Sequence, residues 1–373
     1  MISYLSVEES LPNFKKKVWI IDKNVYNLNF DRINSIKVND NFFILESLEE
    51  NKTIDTYNEI LKFLFENKID RSYYLIGLGG GIVGDITGFV ASTYKRGMKL
   101  IHIPTTLLSM VDSSIGGKTG VNNDYGKNMI GTFYKASNII VDKTWLNTLP
   151  IEQKINGMAE IIKMALLKGG RLYELVNNSN PETWENLDEM IRVSGEEKVE
   201  IIENDLNETK GVRDILNLGH TFGHAHELSN EVLHGYAISD GTIDEFYYTN
   251  YYYGYPSNTF INNVKNLLIK WKLHDPKKPI SYNKMFYYYL ENDKKNNKLI
   301  TLKDVGYPSI VEFNIEKIKL FKANFYRLRN FYNSKNVFYE KTNFVVDLPS
   351  SKSETNRLLL IATFISYFIN KKI

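Results

Sequence analysis

The chain has 373 residues, 43% of them hydrophobic and 24% charged, which is long enough for two ordinary domains with hydrophobic cores. Its net charge of +2 argues against a nucleic-acid-binding protein, which would usually carry a strong basic excess. The absence of cysteine excludes disulfides and thiolate metal sites, so any metal must be held by His, Asp or Glu.

The first half of the chain alternates strand patterns with helical ones. Apolar runs predict strands at 17–22, 42–45, 73–78, 100–104 and 139–142. Helical spacing occurs at 53–67, and a second helix follows a glycine-rich turn and ends near residue 94. Alternating strands and helices indicate an α/β fold, here a doubly wound parallel sheet in an N-terminal domain over residues 1–150.

The pattern changes after Pro150. Helical spacing dominates from there on, at 151–168, 184–204, 221–229, 238–253 and 259–273. We therefore expect a mainly α-helical C-terminal domain over residues 151–335.

No segment indicates export or a membrane partner. The first residues lack an apolar run behind a basic tip, so no secretory signal is visible. The longest apolar run, 358–369, is shorter than the ~18 residues that a membrane-spanning helix needs. A cytoplasmic protein is therefore expected.

A glycine-rich turn links the predicted strand at 73–78 to a helix. Gly79, Gly81 and Gly84 form a G-x-G-x-x-G motif, typical of Rossmann-like folds that bind a dinucleotide. The glycines let the backbone approach a pyrophosphate, and the helix N-terminus supplies amide donors. The acidic residue usual after the next strand is missing, so Asp22 and Asn24 are the candidates for a ribose contact.

Polar residues and glycine dominate the stretch from residue 104 to residue 128. Lys118, Lys127 and Asn128, predicted to lie in flexible loops beside the nucleotide site, suit a small anionic substrate. An ordinary solvated loop is the alternative.

Four of the six histidines lie between residues 217 and 234. His220 and His224 share one helical face, and Glu160 is a natural third ligand for a two-histidine zinc site. The alternatives are a buried structural histidine pair and, for Glu160 with Lys163, a surface ion pair. Zinc could polarise an alcohol while a nicotinamide cofactor takes and returns its hydride.

Seven motifs together resemble 3-dehydroquinate synthase over residues 19–302. They are GGGIVGD at 79–85, TGFVASTYKRG at 87–97, PTTLL at 104–108, VDSSIGGK at 111–118, GKN at 126–128, NGMAE at 156–160 and NLGHTFGH at 217–224. The resemblance implies an NAD- and metal-dependent lyase that converts 3-deoxy-D-arabino-heptulosonate 7-phosphate to 3-dehydroquinate and phosphate in aromatic amino-acid biosynthesis. Transient oxidation, phosphate elimination, re-reduction and an aldol ring closure follow one another in that family.

The resemblance also implies roles for individual residues. A Zn²⁺ or Co²⁺ ion would be held by Glu160, His220 and His234, so that His224 becomes an acid/base group rather than a ligand, and Glu208 a second proton acceptor. The sugar-phosphate acid would be bound by Asp112, Lys118, Asn128, Asn156, Lys163, Lys198, Arg213, Asn217 and Lys294. NAD would contact Asp22, Asn24, Glu49, Lys52, Gly80, Gly81, Ile82, Asp85, Thr105, Thr106, Lys127, Trp145, Leu146, Asn147 and Thr148.

Some positions depart from the family's pattern. Tyr236 stands where the family usually has an acidic residue, and His226 occupies a usually apolar place. Asp240, Asp244 and Glu245 interrupt the apolar helix predicted at 238–253, and these charges would affect helix packing beside the metal.

The resemblance extends to assembly and to the C-terminal residues. In the family Arg96 reaches into the neighbouring subunit, which implies a homodimer. The stretch VVDLPSSKSETNR at 345–357 resembles the opening of 5-enolpyruvylshikimate-3-phosphate synthase, so residues 336–373 are predicted to be the truncated start of such a domain. The combination implies a multifunctional shikimate-pathway polypeptide of the kind found in fungi and some protists.

Two alternatives stay open. One is another NAD- and metal-dependent polyol dehydrogenase or sugar-phosphate cyclase on the same scaffold, which phosphate release without net NADH would separate. The other is a catalytically inactive NAD-binding scaffold, suggested by Tyr236 and the charged helix after it.

Overall fold

A parallel sheet organises the N-terminal half of the computed structural model, which describes residues 1–205, 208–277, 281–291 and 298–314. All of these residues belong to one compact unit. The described strands are β1 Ile2–Ser3, β2 Lys17–Asp22, β3 Asn41–Leu45, β4 Tyr74–Gly79, β5 Lys99–Pro104, β6 Lys118–Asn123, β7 Gly126–Phe133, β8 Asn138–Ile140, β9 Lys298–Asp304 and β10 Tyr307–Glu312.

Six of these strands form one sheet in the order β1-β8-β5-β4-β2-β3, and all of its neighbouring strands run parallel. The central strands are apolar on both faces, as in Val18 to Ile21, because helices cover both sides of such a sheet. Gly79 lies opposite Pro104, so the carboxyl ends of β4 and β5 meet at one edge. Ligands bind at that edge in doubly wound folds.

Helices cover the sheet and make up most of the second half. They are α1 Val7–Ser10, α2 Lys23–Leu28, α3 Phe30–Lys37, α4 Ile54–Glu66, α5 Gly81–Thr93, α6 Ile151–Lys168, α7 Gly170–Asn178, α8 Leu187–Glu203, α9 His220–Asn230, α10 His234–Tyr253, α11 Asn258–Lys270 and α12 Lys284–Glu291. Among the described helices, none has both the length and the apolarity that crossing a membrane requires. The predicted fold class, a Rossmann-like α/β half followed by a mainly helical half, is confirmed.

The flexible loops predicted for residues 104–128 are wrong in part, because β6 and β7 form an antiparallel hairpin there. The glycines of this hairpin did not indicate strands, because glycine is depleted in most strands. A Cβ atom on Gly131 would lie 2.1 Å from the carbonyl oxygen of Thr119, so only glycine permits this close pairing. Lys118 and Asn128 are therefore held on strands rather than on flexible loops.

One buried histidine should make the fold sensitive to acid. Burial of His102 in β5 lowers its pKa from 6.5 to about 4. The unfolded chain therefore takes up a proton between pH 6.5 and 4 that the folded chain does not, and stability falls as pH falls through that window. We expect His102 to contribute a loss of roughly 3 kcal/mol in the free energy of unfolding between pH 7 and 4.

Urea unfolding of the wild-type chain and of a His102→Leu variant at several pH values measures this contribution. The difference in unfolding free energy between the two proteins should shift in favour of the variant as pH falls below 6.5. A difference that stays constant with pH would contradict the assignment.

Candidate active site

The glycine turn shapes the first of two cavities at the sheet edge. Gly79 ends β4 and Gly80 caps α5, whose first residue is Gly81. A Cβ atom on Gly79 would lie 2.5 Å from Val83, so glycine lets the strand and the helix approach each other. The amides at the start of α5 can then face a ligand.

We call this space, of about 810 Å³, the glycine-turn cavity. Most residues predicted to contact NAD line it: Asp22, Asn24, Glu49, Lys52, Gly80, Gly81, Ile82, Asp85, Thr105, Thr106, Trp145 and Thr148. Lys127, Leu146 and Asn147 do not line it. Leu146 is buried in the core, and the Nζ of Lys127 lies 3.8 Å from the Oε1 of Glu227.

A second space, of about 600 Å³, lies between the hairpin and the helices, and we call it the histidine cavity. Twelve predicted residues line it: Asp85, Asp112, Lys118, Asn128, Lys163, Lys198, Glu208, Arg213, Asn217, His220, His224 and His234. Arg96, Asn156 and Glu160 do not line it, and Lys294 lies outside the described residues.

The two cavities meet at four shared residues. Asp85, Asp112, Ser113 and His234 line both of them. A group bound in the glycine-turn cavity can therefore contact a molecule bound in the histidine cavity. Ser113 was not predicted to take part.

Glu160, His220 and His234 form the only cluster of potential metal ligands found among the described residues. The Oε1 of Glu160 lies 3.7 Å from the Nε2 of His220 and 3.6 Å from the Nε2 of His234. Ligand atoms ~2.1 Å from a tetrahedral ion lie about 3.5 Å from one another. The same Oε1 is buried and has no hydrogen-bond partner among the described residues, so the cluster fits a divalent ion.

The other atoms of these three side chains are already engaged. The Nδ1 of His220 lies 3.0 Å from the carbonyl oxygen of Leu218, and the Nδ1 of His234 lies 2.8 Å from the Oε2 of Glu227. Glu160 uses its Oε2 to pair with Lys163. Both Nε2 atoms and one carboxylate oxygen therefore face one another.

His224 lines the cavity beside this cluster without belonging to it. Its ring centre lies 5.3 Å from that of His220 and 6.2 Å from that of His234. The spacing of His220 and His224 on one helix therefore does not identify the second histidine of the cluster. His234 takes that place because α10 begins there and packs against α9.

Acidic and basic side chains lie close together in the histidine cavity. Burial alone would raise the pKa of Asp112, but Lys198 and Lys163 outweigh it and hold that pKa well below its usual range. Burial in turn lowers the pKa of Lys198, which donates to the carbonyl oxygen of Asp112 at 2.7 Å. At the other side Lys118 pairs with Glu208 at 2.6 Å, and the Nε of Arg213 lies 3.8 Å from the same carboxylate.

His234 is basic in this setting. Burial disfavours its protonated ring, but the nearby carboxylates of Glu160 and Glu227 outweigh burial and raise its pKa to about 9. Because a metal binds the neutral ring, metal binding must release this proton.

Buried polar side chains fix the two histidine-bearing helices. Glu245 in α10 accepts from the amides of Gly219 at 2.7 Å and Thr221 at 3.0 Å, which caps the start of α9. The Oδ1 of Asn156 accepts from the amide of Gly235 at 2.6 Å, directly after His234. Asn156 therefore acts here on the backbone beside the cluster.

The remaining unusual charges of α10 also have partners. Asp240 accepts from the Nδ1 of His274 at 2.7 Å, and Asp244 accepts from the Nε2 of His226 at 2.7 Å. The hydroxyl of Tyr282 donates to Asp244 at 3.0 Å. These residues therefore do not leave unpaired charge beside the cluster, and the expectation of altered packing there finds no support in the described residues.

Replacing Asp244 with alanine should destabilise the fold. Asp244 is fully buried, and its loss removes the acceptor of His226 and Tyr282. Leaving the buried ring of His226 without this acceptor costs about 1–3 kcal/mol, so we expect the free energy of unfolding to fall by about that amount. Denaturant unfolding measures it. A His226→Leu/Asp244→Leu double variant should lose less, and an equal or larger loss would contradict the pairing.

Two family models match adjoining parts of the chain. The model described as 3-dehydroquinate synthase N-terminal covers residues 42–156, and the one described as 3-dehydroquinate synthase C-terminal covers residues 157–296. The chain belongs to the 3-dehydroquinate synthase family. The 3-dehydroquinate synthase of Pelagibacter ubique is 37% identical over 338 residues, which cover 84% of this chain and 90% of the relative. The family predicted from the sequence, and an enzyme of this type, are thereby confirmed.

Solved structures show the same fold. One is 2-deoxy-scyllo-inosose synthase complexed with carbaglucose-6-phosphate, NAD⁺ and Co²⁺, with a TM-score of 0.75, 24% identity, and coverage of 86% of this chain and 94% of that one. Another is ValA, a 2-epi-5-epi-valiolone synthase from Streptomyces hygroscopicus with NAD⁺ and Zn²⁺ bound, with a TM-score of 0.77, 23% identity, and coverage of 87% and 96%. At these identities the likeness concerns the fold alone.

The sequence did not predict a role in the site of this 3-dehydroquinate synthase family member for Ser113, Glu227 or Glu245. Glu227 could have been found, because it lies seven residues after His220 and three after His224, on the same face of α9. Nothing in the sequence alone marks Glu245 as a cap, since its partners lie 24 to 26 residues earlier in the chain.

Proposed function

We propose that the two cavities form the active site of a 3-dehydroquinate synthase that converts 3-deoxy-D-arabino-heptulosonate 7-phosphate to 3-dehydroquinate and phosphate. The main support for this proposal is that the glycine-turn cavity and the histidine cavity share His234, a member of the Glu160–His220–His234 cluster. Family membership supports the choice of reaction. A cytoplasmic location stays a prediction.

NAD is the proposed occupant of the glycine-turn cavity. A Cβ atom on Gly80 would lie 3.1 Å from Thr106, and one on Gly81 would lie 3.1 Å from Ser113, so side chains there would fill the cradle. Bound NAD would accept a hydride from the substrate and return it later in the cycle. Asp22, at the end of β2, is the candidate for a ribose contact.

Zn²⁺ or Co²⁺ is the proposed partner of Glu160, His220 and His234. The ion would polarise the alcohol that is oxidised. Lys163 balances the second oxygen of Glu160, which keeps the carboxylate ionised in a buried place. Solved relatives of similar fold carry NAD⁺ with one or the other metal.

The basic side chains of the histidine cavity would hold the substrate's phosphate and carboxylate. Lys118 and Arg213 share Glu208 in this structure, and an anionic substrate would compete with that carboxylate for them. The proposed substrate-binding residues are Asp112, Lys118, Asn128, Asn156, Lys163, Lys198, Arg213, Asn217 and Lys294. His224 and Glu208 are the proposed proton-transfer groups, because both line the cavity and can hold or release a proton there.

A homodimer would bring in one more basic residue. Arg96 is exposed and lies outside both cavities of its own chain. Lys95 and Arg96 both have positive φ, of 48° and 67°, a conformation that costs energy and is often kept at functional places. This supports, for Arg96, a contact to substrate in a second copy of the chain.

Arg96→Ala should lower kcat/KM by about 10- to 100-fold, as loss of one charge-assisted hydrogen bond does. Steady-state kinetics and analytical ultracentrifugation measure activity and assembly. Mixing this variant with inactive His234→Ala chains should restore part of the activity, because a mixed dimer would hold one complete site. Full activity of an Arg96→Ala monomer would contradict the proposal.

The domain organisation completes the proposal. We assign residues 1–150 to NAD binding and residues 151–335 to metal and substrate binding. Residues 336–373 would begin a 5-enolpyruvylshikimate-3-phosphate synthase-like domain of a longer multifunctional polypeptide, on the strength of the motif at 345–357. That segment lies outside the described residues. An immunoblot of the native protein at about 43 kDa would contradict the fusion.

Phosphate release from the heptulosonate phosphate tests the proposed reaction. We expect release that needs NAD and a divalent ion, stops with chelator, and leaves no net NADH. Net NADH from a polyol without phosphate release would instead identify a dehydrogenase. If neither phosphate nor NADH is formed, the chain is an inactive NAD-binding scaffold.

A further inference from the structure

Glu227 contacts a proposed metal ligand from the side away from the metal. Its Oε2 lies 2.8 Å from the Nδ1 of His234, while the Nε2 of the same ring faces Glu160 at 3.6 Å. A carboxylate can only accept, so the Nδ1 of His234 donates to it. The neutral ring then carries its proton on Nδ1 and presents the Nε2 lone pair to the cluster.

The position of Glu227 follows from helix geometry. His220, His224 and Glu227 are spaced four and then three residues apart, so they lie on one face of α9. His234 begins α10, and Glu227 therefore bridges the two helices that carry the paired histidines. Its side chain is about three-quarters buried, which shields the hydrogen bond from water.

We propose that Glu227 is a positioning residue for the metal: it fixes the tautomer and the ring orientation of His234 and thereby sets metal affinity. Carboxylate partners of metal-bound histidines raise ligand basicity, and their loss typically weakens metal binding 10- to 100-fold. Glu227 does not itself belong to the ligand cluster. This inference rests on the proposed metal site and adds a residue to it.

A second contact of Glu227 matters less. Its Oε1 lies 3.8 Å from the Nζ of Lys127 in β7, whose side chain is half exposed. An ion pair so long and so exposed is screened by water and salt. Lys127→Met should therefore change zinc affinity by less than about threefold.

Zinc affinity without substrate or NAD tests the proposal. Competition with a chromophoric chelator gives the dissociation constant for the wild-type chain, Glu227→Ala, Glu227→Gln and a control, Glu231→Gln, at the exposed end of the same helix. We expect Glu227→Ala to weaken binding at least ~10-fold, Glu227→Gln to weaken it less, and the control to match wild type. Melting temperatures of the metal-free proteins show whether each variant folds.

The outcomes separate the two levels of the proposal. If wild type and Glu227→Ala bind zinc equally tightly, Glu227 does not position His234, while the metal site stands. If a folded Glu227→Gln variant and the Glu231→Gln control weaken binding equally, the effect is not specific and the inference is overturned. If folded wild type binds no zinc, the metal assignment itself fails, and this inference fails with it.

Discussion

His234→Ala is expected to abolish metal-dependent turnover while leaving the fold and NAD affinity nearly unchanged. The substitution removes one of three groups that converge on a single point, and it leaves Glu160 buried with one fewer partner. A metal supplies several kcal/mol of transition-state stabilisation, so we expect kcat/KM to fall at least ~10³-fold. Steady-state phosphate release measures that loss, and equilibrium dialysis measures zinc and NAD binding.

Tyr236→Phe is the matched control for this variant. Tyr236 lies two residues further along α10 and lines neither of the two cavities. It should keep near-normal activity, zinc content and NAD affinity. Full activity of His234→Ala in the presence of chelator would show that the metal assignment is wrong.

Lys198→Met is expected to damage both stability and activity. Lys198 forms an ion pair with Asp112; the lysine side chain is buried, while 30% of the Asp112 side chain is exposed. Removing one partner of a fully buried ion pair costs about 3–5 kcal/mol, and we expect the lower end of that range here because water reaches part of Asp112. The substitution would also remove a charge that binds the substrate, which should weaken transition-state binding by about 2–5 kcal/mol. We therefore expect kcat/KM to fall roughly 10²- to 10³-fold.

A second substitution separates these two effects. Lys198→Met/Asp112→Asn removes the stranded charge, so the unfolding free energy should recover while the activity stays low. Lys168→Met, on the exposed pair with Glu200, is the control and should change neither quantity appreciably. Recovery of activity in the double variant would contradict a direct role of Lys198 in substrate binding.

The sequence predicted what local patterns encode. Alternating apolar strands and helices led to the parallel sheet, and G-x-G-x-x-G at Gly79 to Gly84 led to the glycine-turn cavity. Helical spacing placed His220 and His224 on one face of α9. In each case the signal lies within a dozen residues of the feature it predicts.

Features that depend on how helices cross could not be read from the chain. A Cβ atom on Gly241 would lie 2.4 Å from the amide nitrogen of Gly223, so α9 and α10 approach closely only because both residues are glycine. That approach brings His234, rather than His224, to Glu160 and His220. The spacing of histidines along one helix carries no information about it. The motif resemblance supplied the ligand set instead.

Buried charge in α10 was misjudged for a related reason. Asp244 and Glu245 look disruptive in an apolar helix, yet each meets donors from other elements. Sequence reveals the charge, while its partners become visible only in three dimensions.

Anomalous diffraction at the zinc edge, on crystals grown with NAD and zinc, tests the central claim most directly. We expect one strong peak about 2.0–2.2 Å from the Oε1 of Glu160 and from the Nε2 atoms of His220 and His234, with NAD density along the glycine turn. A peak elsewhere, or no peak between these three side chains in crystals that contain zinc, would contradict the proposed active site.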